Sequence, residues 1–168
     1  MTATETTDIK AVAADRTFEP APRLGENLQK ILVDLTALSL IGKQAHWNIV
    51  GPNFRDLHLN LDEVVDIARE GSDEIAERMR AFFIPADGRP ATVAETTTLP
   101  DFPAGEILTT HAVDFIVAAI QATVHTIRSV RDEVEEDDAA TADILHEYIL
   151  KLEQQAWFVG SENRAPKA

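Results

Sequence analysis

The feature that most constrains the fold is a helical repeat of apolar residues that begins at Leu24 and breaks at Gly51-Pro52. Leucine, isoleucine and alanine recur at spacings of three, four and seven, as they do on one face of a helix. Proline cannot continue a helix and disfavours helical geometry in the preceding residue. The pattern therefore predicts one helix from Leu24 to about Val50 and a second over about 54–83, with Asn53 as its N-cap.

Two further helical patterns follow a long connection. Residues 85–103 contain four prolines and a run of threonines, so they should cross the bundle or carry a short helix of their own. A third helix is predicted over about 104–134, the acidic run EVEEDD at 133–138 is predicted to form the turn, and a fourth helix is predicted over about 141–160. No strand-like alternation extends beyond a few residues. The prediction is an all-α, ferritin-like four-helix bundle with a long crossover between helices two and three.

The length of 168 residues suits one domain, predicted here as a bundle over 24–162 between a flexible N-terminal tail, 1–23, and a short C-terminal tail, 163–168. The absence of cysteine excludes disulfides and thiolate metal sites. The N-terminus lacks the basic start and apolar core of a secretory signal, and the longest apolar run, near 112–120, is about half a membrane span. We expect a cytoplasmic protein without a membrane segment.

The formal net charge of −14 restricts the partners that the chain can bind. Such a charge repels nucleic acid phosphates and raises the local concentration of cations. The N-terminal tail balances three basic residues against four acidic ones, and the C-terminal end has only Glu162, Arg164 and Lys167, so neither tail is a polycation. DNA binding is therefore predicted to be weak or absent at physiological salt. The acidity could also serve solubility alone.

Four candidate metal ligands share one stripe of the second helix. His58 and Asp62 lie one turn apart, as do Asp73 and Glu77, and each pair could hold one side of a metal ion. With about 100° per residue, all four fall on a face that points away from the helix's own apolar stripe. Nitrogen and carboxylate ligands without sulfur suit iron, manganese or zinc. Taken singly, each acidic pair is more often plain solvated charge.

The two pairs cannot hold one ion within a single chain. Asp62 and Asp73 are 11 residues apart, about 16 Å along a helix axis. An antiparallel copy of the helix, related by a two-fold axis near residues 67–68, would set His58 and Asp62 of one chain opposite Asp73 and Glu77 of the other. His46, near the end of the first helix, could lean over the His58–Asp62 half. The spacing thus favours two identical sites between two subunits.

The stretch KQAHWNIVGPNFRDLHLNLDEVVDIAREGSDEIAERM at 43–79 closely resembles the signature of the Dps miniferritins, the DNA-binding proteins from starved cells. The residues HWN at 46–48, Gly51, Phe54 and LH at 57–58 match this signature, and so does the spacing of the five candidate ligands. TADIL at 141–145 and AWFV at 156–159 also look like the family. The resemblance covers roughly residues 24–162 and leaves out both tails.

The resemblance implies a homo-oligomer, a hollow dodecamer with ferroxidase centres at its two-fold interfaces. His46, His58 and Asp62 would come from one subunit, and Asp73 and Glu77 from its neighbour. Such proteins oxidise Fe(II), typically with hydrogen peroxide, and store the ferric product as a mineral, which protects against oxidative damage. Trp47 would lie beside the centre and quench radicals, a role compatible with that of an interface aromatic.

The resemblance also implies acidic pores on the three-fold axes, formed around the start of helix four. Asp138, Asp143 and Glu147 lie in that stretch, although Asp138 could equally cap the helix. His111 and His125, among apolar residues of helix three, are predicted to be core or interface histidines, and His146 to be a surface or pore residue.

Two alternatives stay open from the sequence. One is a structural or DNA-compacting helical cage whose metal site is vestigial, associated with the nucleoid rather than free in the cytoplasm. The other is a zinc or manganese protein that uses the same ligands. Both keep the fold and the assembly, and they differ from a ferroxidase in the metal bound and in the absence of catalysed iron oxidation.

Overall fold

In the computed structural model, which describes residues 18–166, the chain is an all-α, ferritin-like bundle, as predicted. Residues 1–17 and 167–168, which belong to the predicted tails, lie outside the described residues. One short helix and a pair of two-residue strands accompany the four long helices. In chain order the elements are α1 (Pro22–Asn48), β1 (Ile49–Val50), α2 (Phe54–Ala81), α3 (Pro90–Thr96), β2 (Ile107–Leu108), α4 (Thr109–Asp137) and α5 (Ala139–Ser161).

Contacts between helix ends show the relative directions of the long helices. Arg23 at the start of α1 meets Asp137 at the end of α4, with Nε 2.8 Å from Oδ2. Arg78 near the end of α2 meets Thr141 at the start of α5, with Nε 2.8 Å from Oγ1. The helices in each pair are therefore antiparallel, and α2 and α4 run in the same direction. Since α2 spans about 42 Å, the connection between α2 and α4 must travel the length of the bundle, and α3 lies within it.

The strands correct two sequence expectations. β1 and β2 pair in parallel, with Ile49 opposite Ile107, whereas the sequence predicted helix up to Val50 and no strands. A two-residue pairing has no alternation to detect, which is why the pattern missed it. The hydroxyl of Thr109 also donates to the carbonyl oxygen of Pro52 at 2.7 Å. Together these bonds close the end of the bundle where α1 and α2 meet.

The turn between the last two helices is shorter than predicted. Residues 133–137 continue α4, and only Asp138 separates α4 from α5. Arg23 explains the difference, because its guanidinium bonds Glu136 and Asp137 and offsets the acidic charge at the helix C-terminus. The predicted start of the helix at residue 104 was also too early, since 104–106 precede β2 and α4 begins at Thr109.

α4 is a core helix of the bundle. By length and composition alone it could cross a membrane, with a mean hydropathy of 1.2 over its most apolar window, but half of that window is buried inside the bundle. Its buried residues pack against buried residues of the other long helices, such as Leu28, Leu61 and Leu145. An apolar stripe on each of the four helices thus forms one continuous core.

A buried carboxylate attaches the crossover to this core. Asp34 of α1 is 1% exposed and accepts hydrogen bonds from the hydroxyls of Thr97, Thr98 and Thr126 at 2.7–2.9 Å. It also accepts one from the backbone N–H of Thr98 at 2.8 Å. Thr97 and Thr98 directly follow α3, and Thr126 belongs to α4. One side chain thereby joins three parts of the fold.

Asp34→Asn is expected to destabilise the fold by about 3 kcal/mol, because an amide leaves buried hydroxyl donors without a charged acceptor. The change in thermal unfolding midpoint of the assembled protein measures the effect. Glu95→Gln, at an exposed position of α3, is the matched control and should leave the midpoint unchanged. Equal midpoints for the two variants would contradict the role assigned to Asp34.

Candidate metal centre

The centre lies at the junction of α1 and α2. Two residues in the connection have positive φ, Gly51 at 114° and Asn53 at 55°, and together they reverse the chain within five residues. Asn53 occupies the N-cap position, as predicted, but makes no capping bond with its side chain. Its amide donates instead to Glu162 at 2.8 Å, beyond the end of α5. The tight reversal brings His46 of α1 against His58 of α2.

The two histidines hold each other through backbone carbonyls. Nδ1 of His46 lies 3.0 Å from the carbonyl oxygen of His58, and Nδ1 of His58 lies 3.1 Å from that of His46. Because a carbonyl oxygen only accepts, each Nδ1 carries a proton and donates it. Each Nε2 then keeps a lone pair, the form in which imidazole binds a metal. The rings stack with centres 3.7 Å apart.

Asp62 completes a cluster of three potential ligands. One ligand atom each from His46, His58 and Asp62 can be chosen so that all lie within 4.8 Å of one another. The side chain of His46 is 11% exposed and that of Asp62 is 40% exposed, so the cluster is open on the carboxylate side. Two neutral nitrogens and one carboxylate oxygen can bind a divalent cation and leave positions for further ligands.

Lys43 also binds the carboxylate of Asp62. Its ammonium group donates to Oδ1 of Asp62, the oxygen that lies 3.3 Å from Nδ1 of His46. This hydrogen bond holds the pKa of Asp62 below its ordinary value, against the effect of burial, so the carboxylate stays ionised. No role for Lys43 was predicted from the sequence. Its position three residues before His46, one turn away on the same face of α1, was the available signal.

Asp73 and Glu77 lie on the same continuous helix as His58 and Asp62. Asp73 is about 16 Å further along the helix axis than Asp62. Both are exposed, and within residues 18–166 their carboxylates have no hydrogen-bond or ion-pair partner. The described chain therefore brings together three of the five predicted ligands. The other two form a separate, unpaired carboxylate pair.

Aromatic side chains surround the histidine pair. Phe54 stacks on His58 with ring centres 5.2 Å apart, and it is itself partly exposed. Trp47, next to His46, is 71% exposed in the single subunit. One exposed aromatic residue follows His46 in the sequence and another stacks on His58, so apolar surface is exposed at the edge of the centre.

The three predicted pore residues have different surroundings. Asp138 caps α5: its carboxylate accepts from the hydroxyl and backbone N–H of Thr141 and from Arg78. Burial alone would raise the pKa of Asp138, but these donors hold it below its ordinary value. Asp143 is 88% exposed, and Glu147 pairs with Lys151 at 2.7 Å. A pore role for the three stays a prediction, with Asp138 already engaged in the cap.

The remaining histidines lie outside the centre. His111 and His125 of α4 are both exposed in the single subunit, which excludes the core alternative, and the interface alternative stays a prediction. His146 is a surface residue, as predicted, with Nδ1 3.8 Å from Asp143.

A comparison with known proteins decides the family. The family model of the ferritin-like domain matches residues 25–164. A DNA protection during starvation protein from Halobacterium salinarum is 33% identical over 156 residues, 90% of this chain and 82% of the relative. The solved structure of Dps from Microbacterium arborescens in the high iron form superposes with a TM-score of 0.80 at 31% identity, covering 87% of this chain and 98% of that one. This chain belongs to the Dps family of miniferritins.

One relative of the Dps chain carries another name. The fine tangled pili major subunit of Haemophilus ducreyi is 34% identical over 136 residues, 81% of this chain and 72% of the relative. The family resemblance seen in the sequence is thus confirmed, although this relative is named for pili and not for the protection of DNA.

Lys43→Gln is expected to raise the affinity of this Dps centre for a divalent cation by about tenfold, because a competing positive charge leaves Asp62. Calorimetric titration of the assembled protein with Zn²⁺ measures the affinity. Lys30→Gln, on the same helix but bonded to Asn27, is the matched control and should behave as the unmodified protein. An unchanged or lower affinity in Lys43→Gln would contradict the competition.

Proposed function

We propose that this Dps protein is a ferroxidase that oxidises Fe(II) with hydrogen peroxide and stores the ferric product inside a homo-oligomeric cage. The observation that carries the proposal is the histidine pair, whose Nδ1 protons are fixed by carbonyls and whose Nε2 atoms can both bind iron. Membership of the Dps family supports a general role in iron storage and DNA protection. Iron is the substrate here and the mineral is its product.

The residues divide the chemistry between them. His46 and His58 supply neutral nitrogen ligands, and Asp62 supplies an ionised carboxylate that stabilises Fe(III) over Fe(II). In the proposed assembly, Asp73 and Glu77 of a neighbouring subunit supply two more carboxylates from the other side. Two Fe(II) ions give the two electrons that reduce peroxide to water, with two protons taken up. Consumption of both reactants prevents the formation of hydroxyl radicals.

The incompleteness of the site within one chain supports an assembly of subunits. A two-fold axis near the middle of α2 would bring the free carboxylates of Asp73 and Glu77 to the open side of the Asp62 cluster. The exposed side chains of Trp47 and Phe54 support an interface at this end of the helix. We expect a dodecamer with such sites at its two-fold axes, and iron reaching the cavity through acidic pores near Asp143.

The test mixes the assembled protein with Fe(II) and peroxide and follows ferric absorbance, with the mass and metal content of the same sample measured beforehand. Catalysed oxidation by a dodecamer supports the proposal. A cage that does not accelerate oxidation would support the structural alternative, which the pilus-subunit name of one relative also favours. Zinc or manganese in protein purified from cells would favour the alternative metals.

DNA binding is expected to be weak or absent in this member of the family. The net charge of −14 opposes contact with phosphates, and neither tail is a polycation. A gel-shift assay at about 150 mM salt tests this expectation, since electrostatic DNA contacts weaken steeply with salt. Tight binding under these conditions would contradict it.

A further inference from the structure

The single tyrosine of the chain is buried between α5 and α2. Tyr148 is 1% exposed, and its ring lies over Gly71, where an added Cβ would come within 2.9 Å of ring carbons. Glycine at position 71 is therefore what leaves room for the ring. The phenol donates to Oε2 of Glu74 at 2.7 Å. A phenol and a carboxylate at this separation form a strong, charge-assisted hydrogen bond.

This hydrogen bond lies on the same stretch of α2 as the carboxylate half of the proposed iron site. Glu74 directly follows Asp73 and precedes Glu77 by three residues on α2. Lys151, paired with Glu70 and Glu147, lies 5.0 Å from the centre of the tyrosine ring. Burial and the bond to Glu74 both raise the pKa of Tyr148, so the phenol keeps its proton. It can lose an electron readily only if that proton moves along the hydrogen bond to Glu74.

We propose that Tyr148 supplies the second electron for peroxide reduction when only one Fe(II) is bound at a site. This inference rests on the proposed ferroxidase function and extends it. The ion pair between Lys43 and Asp62 favours such half-filled sites, because the ammonium group competes with a second cation for the carboxylate. Peroxide would otherwise take one electron and release a hydroxyl radical.

The step balances in atoms and electrons. Hydrogen peroxide, one Fe(II), the Tyr148 phenol, the Glu74 carboxylate and two protons give two waters, Fe(III), a neutral tyrosyl radical and protonated Glu74. The O–O bond breaks, Fe(II) and the phenol are each oxidised by one electron, and the phenolic proton passes to Glu74. A later Fe(II) reduces the radical to the phenol, with the proton returning from Glu74, so Tyr148 is regenerated.

Rapid-freeze EPR of the assembled protein tests the proposal, with less than one Fe(II) per subunit and excess peroxide. A tyrosyl signal is expected in the unmodified protein, and it should be absent from Tyr148→Phe, which keeps the ring over Gly71. Glu74→Gln should lower its yield about tenfold or more, because the proton acceptor is lost. Trp157→Phe, at an exposed position of α5, is the control variant and should retain the signal.

The outcomes separate this inference from the function on which it rests. Catalysed formation of Fe(III) without a tyrosyl signal would overturn the role of Tyr148 and leave the ferroxidase proposal standing. A tyrosine-type signal that persists in Tyr148→Phe would overturn it equally, because no other tyrosine exists in the chain. Absence of catalysed iron oxidation would overturn both.

Discussion

Replacement of His46 and His58 together by alanine is expected to lower the rate of Fe(II) oxidation by more than about 100-fold, since even the loss of outer hydrogen bonds to metal ligands costs 10–100-fold. Each imidazole is a proposed ligand and, through its Nδ1 proton, also the group that bonds the other histidine's backbone carbonyl. The double variant therefore loses two nitrogen ligands and the cross-bonds that position them. The initial rate of ferric absorbance with peroxide measures the effect.

The matched control is the double variant His111→Ala and His125→Ala. It also removes two imidazole side chains, here from exposed positions of α4 away from the centre. Its oxidation rate should equal that of the unmodified protein, and both double variants should have the unmodified mass. If the His46/His58 variant assembles and oxidises iron at the normal rate, the ligand assignment is wrong.

Asp73→Asn combined with Glu77→Gln is expected to reduce oxidation to a similar extent, about 100-fold, although both residues lie about 22 Å or more along α2 from His58 of their own chain. The amides keep the shape of the side chains but remove the charge that would stabilise Fe(III). The effect is expected only if a neighbouring subunit provides these carboxylates. The same kinetic assay measures it.

Asp101→Asn with Glu106→Gln is the control for that loss of charge. Both positions are exposed in the crossover, and this variant likewise replaces one aspartate and one glutamate by their amides. Its rate should stay normal. An Asp73/Glu77 variant that assembles and retains full activity would mean that the His46–His58–Asp62 cluster oxidises iron alone, and the inter-subunit site would be wrong.

The sequence predicted the bundle well because each long helix carries its own apolar stripe. Spacing also predicted that His58 and Asp62 share a face, because both lie on one regular helix. The contact between His46 and His58 depended on the reversal at Gly51 and Asn53, whose positive φ angles no periodicity reveals. The sequence could suggest that His46 leans towards the site, but not that each histidine would bond the other's carbonyl.

Tertiary contacts explain what the patterns missed. The acidic run at 133–138 reads as a turn until Arg23, more than a hundred residues away, neutralises the helix end. Lys43 was missed because a lysine on a helix face is ordinarily solvated, and only the folded chain shows its bond to Asp62. Likewise, the pairing of Tyr148 with Glu74 joins residues 74 positions apart.

The most direct test of the central claim is complementation between two inactive variants, His46→Ala/His58→Ala and Asp73→Asn/Glu77→Gln, dissociated and assembled together. In a random mixture half of the two-fold pairs contain one chain of each kind, and each such pair has one intact site of two. The mixture should therefore recover about one quarter of the unmodified activity, as an isologous interface requires. A co-assembled mixture as inactive as its two components would contradict a site shared between subunits.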